Sequence, residues 1–142
     1  MPAINADGKV DDQRDTHFAC DARGISGGEL CPEFTLFEGN MHGFRTTPRA
    51  CTEPKNGAHF TKCDADGDLA FDVHDQDEFT YGPGGDIDSN HTVDFKVDFQ
   101  ADGDTLVSYS ITVSQSGKSF TVKKEGEYLA KMSKYLKNGM VF

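Results

Sequence analysis

The stretch "HTVDFKVDFQADGDTLVSYSITVSQSGKSFTVKK", residues 91–124, decides the fold. Val93, Phe95, Val97 and Phe99 recur at every second position, with Asp94, Lys96 and Asp98 between them. Successive side chains of an extended chain point to opposite faces, so this alternation reads as a half-buried antiparallel strand. "ADGD" turns the chain, and "TLVSYSITVS" returns with Val107, Tyr109, Ile111 and Val113 inward. "QSGK" turns it again into "SFTVKK", completing a meander. Downstream, "GEYLAKMSKYLKNG" (126–139) sets Leu129, Met132 and Leu136 on one helical stripe and Lys131, Lys134 and Lys137 on the wet side, with Gly139 as the stop. Upstream, "PEFTLFEG" is a further candidate strand. Residues 1–31 are polar and Gly-rich, and read as loop with one strand near Lys9-Val10. The expected fold is mostly β, an antiparallel sandwich of the jelly-roll class with one short C-terminal helix, in a single domain over 1–142.

Composition narrows the partners. The net charge of −10 opposes nucleic acid and anionic membrane surfaces, so neither is expected to bind. No apolar run approaches the length of a membrane span, so a soluble chain, taken as a monomer, is expected. Hydrophobic residues make up 36% of the chain and mean hydropathy is −0.57, which predicts a lean core built on 11 Phe without Trp. "MPAINADGKV" has neither a basic n-region nor an apolar h-region, so no signal peptide is read there.

Cys20, Cys31, Cys51 and Cys63 fall in one window and contain no CxxC pair, which speaks against zinc and thioredoxin chemistry. An even number at wide spacing suits two disulfides and an oxidising compartment, hence a secreted, extracellular protein. Three connectivities are possible, and the sequential pairing 20–31 and 51–63 is the expectation. Asn90-His91-Thr92 is a glycosylation sequon consistent with secretion.

"CDADGDLAF" (63–71) looks at first like a calcium loop, with Asp64, Asp66 and Asp68 alternating. An EF-hand needs Gly at its sixth position, Glu at its twelfth and flanking helices. Here those positions are Leu69 and Asp75, between β-like flanks, so the run reads as a turn and no metal or cofactor is expected. The histidines (17, 42, 59, 74 and 91) show no ligand spacing and read as surface groups, with His42 and His74 candidates to line a cleft.

One pair of residues can carry chemistry. Glu33 and Glu38 lie on a short β-prone segment directly after Cys31. A retaining glycosidase needs two carboxyls about 5 Å apart, one to attack the anomeric carbon and one to protonate the leaving oxygen and then activate water. Positions i and i+5 have opposite parity, so a flat strand would send them to opposite faces. The pair therefore requires a bulge or sharp bend, for which Gly39 offers a place.

"PEFTLFEGN", "FRTTPRACT", "CDADGD…FTYGPG", "TVDFKVDFQ…GDTLVSYSITVSQSGK" and "LAKMSKYLKNGMVF" resemble, in this order, landmarks of glycoside hydrolase family 7. That family comprises secreted cellobiohydrolases and β-1,4-endoglucanases on a concanavalin-like β-jelly-roll. The resemblance implies hydrolysis of β-1,4-glucosidic bonds in cellulose or related glucans by double displacement, with Glu33 as nucleophile, Glu38 as acid/base and Asn40 close behind. It implies that "CDADG" is a loop tethered by a Cys51–Cys63 disulfide, that Asp66 lines a substrate cleft, and that "TYGPG", with Tyr81, is a strand leading into the sheet. The sequence also departs from the family. Thr35 replaces an aspartate between the two glutamates; its hydroxyl can still bond Glu33 but brings no negative charge to help hold Glu38 protonated. Phe37 replaces a tryptophan, Arg49 a substrate-contacting histidine, and His74 an arginine near the leaving-group side. The family's catalytic domain is several hundred residues long, so a partial or reduced domain is the expectation.

Overall fold

The computed structural model describes residues 20–25, 28–55 and 59–137. The expected strand at Lys9-Val10, His17 and the helix stop at Gly139 lie outside them. Eight strands follow in chain order: β1 (Glu33–Gly39), β2 (Phe44–Arg49), β3 (Cys51–Pro54), β4 (Phe60–Cys63), β5 (Phe71–Asp72), β6 (Asp94–Asp102), β7 (Thr105–Gln115) and β8 (Lys118–Glu125). They form three antiparallel sheets, ordered β1-β2-β5, β3-β4 and β6-β7-β8. The fold is mostly β, as expected. No helix among the described residues is long and apolar enough to cross a membrane.

The meander forms where the alternation places it. Ser116 and Gly117 both have positive φ between β7 and β8, the backbone that a two-residue type I′ hairpin demands. Tyr109, Ile111 and Val113 are buried, but Val107 is 42% exposed, contrary to the alternation. The ladder slips there: Gln100 faces Ser108 and Ala101 faces Leu106, so Val107 is an extra, unpaired residue. A bulge of this kind resets the side-chain parity, and Leu106 takes the inward place.

The sheets β1-β2-β5 and β6-β7-β8 share one core as the two leaves of a sandwich. Phe34, Phe44 and Phe71 from the first meet Tyr109, Ile111 and Val113 from the second. The contact is largely aromatic and edge-to-face, with Phe34 on Tyr109 at 5.1 Å, Phe44 on Phe95 at 5.5 Å and Phe37 on Phe95 at 5.2 Å. Such pairs add about 0.5–1.5 kcal/mol each beyond their burial, which offsets the lean aliphatic content.

The C-terminal helix begins as a 3-10 segment, Glu127–Met132, and becomes α1 (Ser133–Lys137). Leu129 and Met132 lie three apart, the 3-10 period, and both are fully buried. Two further expectations are corrected. His59 is buried at 6% exposure beside Glu29, not on the surface. Tyr81 makes only an isolated bridge to Ile87, within a turn-rich segment rather than a strand. The glycines and proline of "YGPGG" cannot sustain a ladder.

A candidate carboxylate cleft

Glu33 and Glu38 both lie on β1, and the pairing with β2 decides where they point. Glu33 faces Arg49 and Thr35 faces Thr47, but Glu38 then faces Arg45, so one residue of β1 is unmatched. In an unbroken ladder Phe37 would face Arg45. The extra residue falls at Leu36-Phe37, ahead of the Gly39 position anticipated, and it restores to Glu38 the parity of Glu33. Phe37 turns to the aromatic side, where it stacks on Phe44 at 5.1 Å. The polar face of β1-β2 thus carries Glu33, Thr35, Glu38, Arg45, Thr47 and Arg49 in one strip.

Arg49 ties the strip together. It is 1% exposed, and its Nη1 donates to Glu33 Oε1 at 3.0 Å and to Thr35 Oγ1 at 2.7 Å. Its Nη2 lies 3.9 Å from Glu38 Oε2. Both carboxylates therefore face the same guanidinium. Glu33 also accepts the Thr35 hydroxyl, and its Oε2 accepts the Ala22 N–H at 3.2 Å. Ala22 is held there by the Cys20–Cys31 disulfide and by the Cys31 N–H on the Asp21 carbonyl. Glu33 is therefore fixed by three donors. Among the described residues Glu38, 45% exposed, meets the edge of Arg49 and, at 3.4 Å, the Arg23 guanidinium.

The aspartate loop supports this arrangement from behind. Cys51 and Cys63 face each other across β3-β4 and are bonded, which closes the loop as expected. Arg49 Nε donates to the Ala65 carbonyl at 3.0 Å. Asp64 accepts the Gly67 N–H and the Tyr128 hydroxyl, and Asp68 accepts the Leu69 N–H. These two carboxylates are engaged in holding the loop's own backbone and Tyr128. Gly67 has φ +73°, and a Cβ there would collide with the Pro48 carbonyl, so the loop backbone presses directly on β2. Tyr128 also accepts the Ala50 N–H at 2.9 Å; burial, with a lesser push from Asp64, raises its hydroxyl to about 12. Burial likewise raises Tyr109, whose hydroxyl donates to the Leu69 carbonyl.

Beside Glu38 opens a groove of about 410 Å3, lined by Asn40, His42, Phe44, Arg45, Asp72 and His74 among others. Asn40, His42 and His74 line this groove together with Glu38. Tyr81 supports the groove from behind, its ring on Phe44 at 5.0 Å and its hydroxyl on the Asn40 carbonyl at 3.4 Å. Asp66 is exposed in the loop next to Ala65. Phe37 packs one side against Phe44 and Phe95 and remains about half exposed. Arg23, Arg45, Asp72 and the Ala22 N–H were not anticipated. Arg23 and Ala22 reach the cleft through the fold of the 20–31 loop, which leaves no periodic trace, and Arg45 through a register slip that sequence does not display.

No protein-family model matches the chain, and no curated protein matches it. The resemblance to family 7 rests on the ordered sequence motifs alone.

Proposed function

We propose that this cleft is a retaining β-1,4-glucan hydrolase site of the cellulase type. The observation that carries the reading is the bulge at Leu36-Phe37, which turns Glu38 onto the face of Glu33. Glu33, held by the Thr35 hydroxyl, the Ala22 N–H and Arg49, presents an oriented oxygen to an anomeric carbon. Glu38, at the groove mouth, delivers a proton to the departing glycosidic oxygen as the Glu33–sugar bond forms. It then takes a proton from the water that attacks this ester and releases the sugar with retained configuration. Asn40, His42 and His74 offer hydrogen bonds to hydroxyls along the groove. Without a tryptophan platform, a short open cleft fits better than a processive tunnel.

One observation favours a second reading, carbohydrate binding without cleavage: the single Arg49 guanidinium offsets both carboxylates. Incubation with an aryl β-cellobioside separates the two. The enzyme reading expects release of the phenol with β-anomeric product seen first by NMR, abolished by Glu33→Gln or Glu38→Gln. Turnover surviving both substitutions sinks it. Affinity for cello-oligosaccharides without turnover, unaltered by either change, selects the binding reading.

A further inference from the structure

A second surface, separate from the cleft, has the chemistry of a ligand site. It is a groove of about 610 Å3 lined by Cys51, Thr52, Asp104, Ser133, Tyr135 and the three lysines 131, 134 and 137. The lysines recur at every third residue of a segment that is 3-10 and then α, so their stems rise about 5–6 Å apart along one line. Two are placed over rings, with Lys131 Nζ 4.7 Å from the Tyr128 centroid and Lys134 Nζ 4.8 Å from that of Tyr135. Lys137 meets Asp104, the one acidic residue among those lining the groove. The chain as a whole carries −10, so a row of cations on a single face is a local reversal of sign.

We infer that this groove binds an acidic polysaccharide, one bearing carboxylate or sulfate groups along its backbone. The lysine row offers one cation for about each sugar ring. The hydroxyls of Thr52 and Ser133 suit sugar oxygens, and the rings of Tyr128 and Tyr135 steady Lys131 and Lys134 in the row. Two disulfides fit an oxidising compartment, where glycans rather than nucleic acids are the abundant polyanions. The inference stands on this face alone and does not depend on Glu33 or Glu38.

Affinity electrophoresis of the full chain in native gels tests it, with polygalacturonate, dextran sulfate, neutral dextran or single-stranded DNA cast into the gel. The expected result is retardation by one or both acidic polysaccharides and none by dextran, weakening as salt rises. Lys131→Gln/Lys134→Gln, both exposed positions, weakens apparent affinity by about tenfold relative to its mobility in a blank gel, at unchanged far-ultraviolet dichroism. Retardation by polygalacturonate alone assigns carboxylates; by dextran sulfate alone, sulfate esters. No retardation by either polymer, retardation the double variant leaves intact, or equal retardation by the DNA each overturns the assignment.

Discussion

Arg49→Met is the most informative single substitution in the cleft. The guanidinium is buried and makes three hydrogen bonds, to Glu33, Thr35 and the Ala65 carbonyl. Hydrogen bonds to charged groups contribute about 1.5–3 kcal/mol each, and stripping one partner from a fully buried ion pair costs about 3–5 kcal/mol. The Glu33 side chain is 16% exposed, so water recovers part of its solvation, and methionine refills much of the volume. A loss of about 3 kcal/mol follows. At about 2.1 cal/mol/K per residue, a chain of 142 residues has a melting entropy near 0.3 kcal/mol/K, so Tm should fall by about 10 °C. Urea unfolding at pH 7 reads this as a lower midpoint at unchanged slope. In a double-mutant cycle with Glu33→Gln, the two changes should couple by about 1–3 kcal/mol. A cost for Arg49→Met below about 0.5 kcal/mol, or strict additivity with Glu33→Gln, would refute the claim that this guanidinium holds the carboxylate in place.

Three other outcomes follow from the support behind the cleft. Gly67→Ala forces a side chain into a positive-φ position against the Pro48 carbonyl and should cost about 1–3 kcal/mol; a thermal melt matching wild type would contradict the close packing of the loop. Removing the Cys51–Cys63 bond by double serine substitution opens a loop of 12 residues' separation and should cost about 3 kcal/mol, with a reducing agent producing a comparable or larger drop in wild type. Tyr128→Phe leaves the Ala50 N–H without its acceptor and should cost about 1–2 kcal/mol at neutral pH. Because the folded-state hydroxyl titrates above its unfolded value near 10, its contribution is intact below pH 10 and fades as pH climbs toward about 12. The variant should therefore show a shallower alkaline loss of stability, and an identical alkaline limb would contradict this.

Much of the architecture could be read directly from residue order. The alternation of Val93 to Phe99 and of Tyr109 to Val113 yields the meander because one buried face imposes a period of two. The "QSGK" turn follows from its glycine, and the sequential disulfides agree with the short loops they close. What the sequence conceals is register. Val107 and the Leu36-Phe37 step look like ordinary strand residues, yet each is the extra residue of a bulge, and a bulge is defined by the partner strand rather than by its own composition. The cleft was legible as a pair of glutamates and unreadable as a geometry, since it depends on one slip of pairing. Arg49 shows the same divide. Its charge was visible, but its burial against Ala65 and its reach to both carboxylates come from a loop folded back through a disulfide. His59 was misplaced for a similar reason: a lone histidine carries no mark of the Glu29 carboxylate that the fold brings beside it.

The pairing register of β1 against β2 tests the account most directly, and cross-strand backbone nuclear Overhauser contacts measure it in solution. With Glu33 opposite Arg49, the account requires contacts between Glu38 and Arg45 and an unmatched residue at Leu36-Phe37. Contacts placing Phe37 opposite Arg45 would mean a regular ladder, send Glu38 to the aromatic side, and leave no carboxylate pair to act on a glycosidic bond.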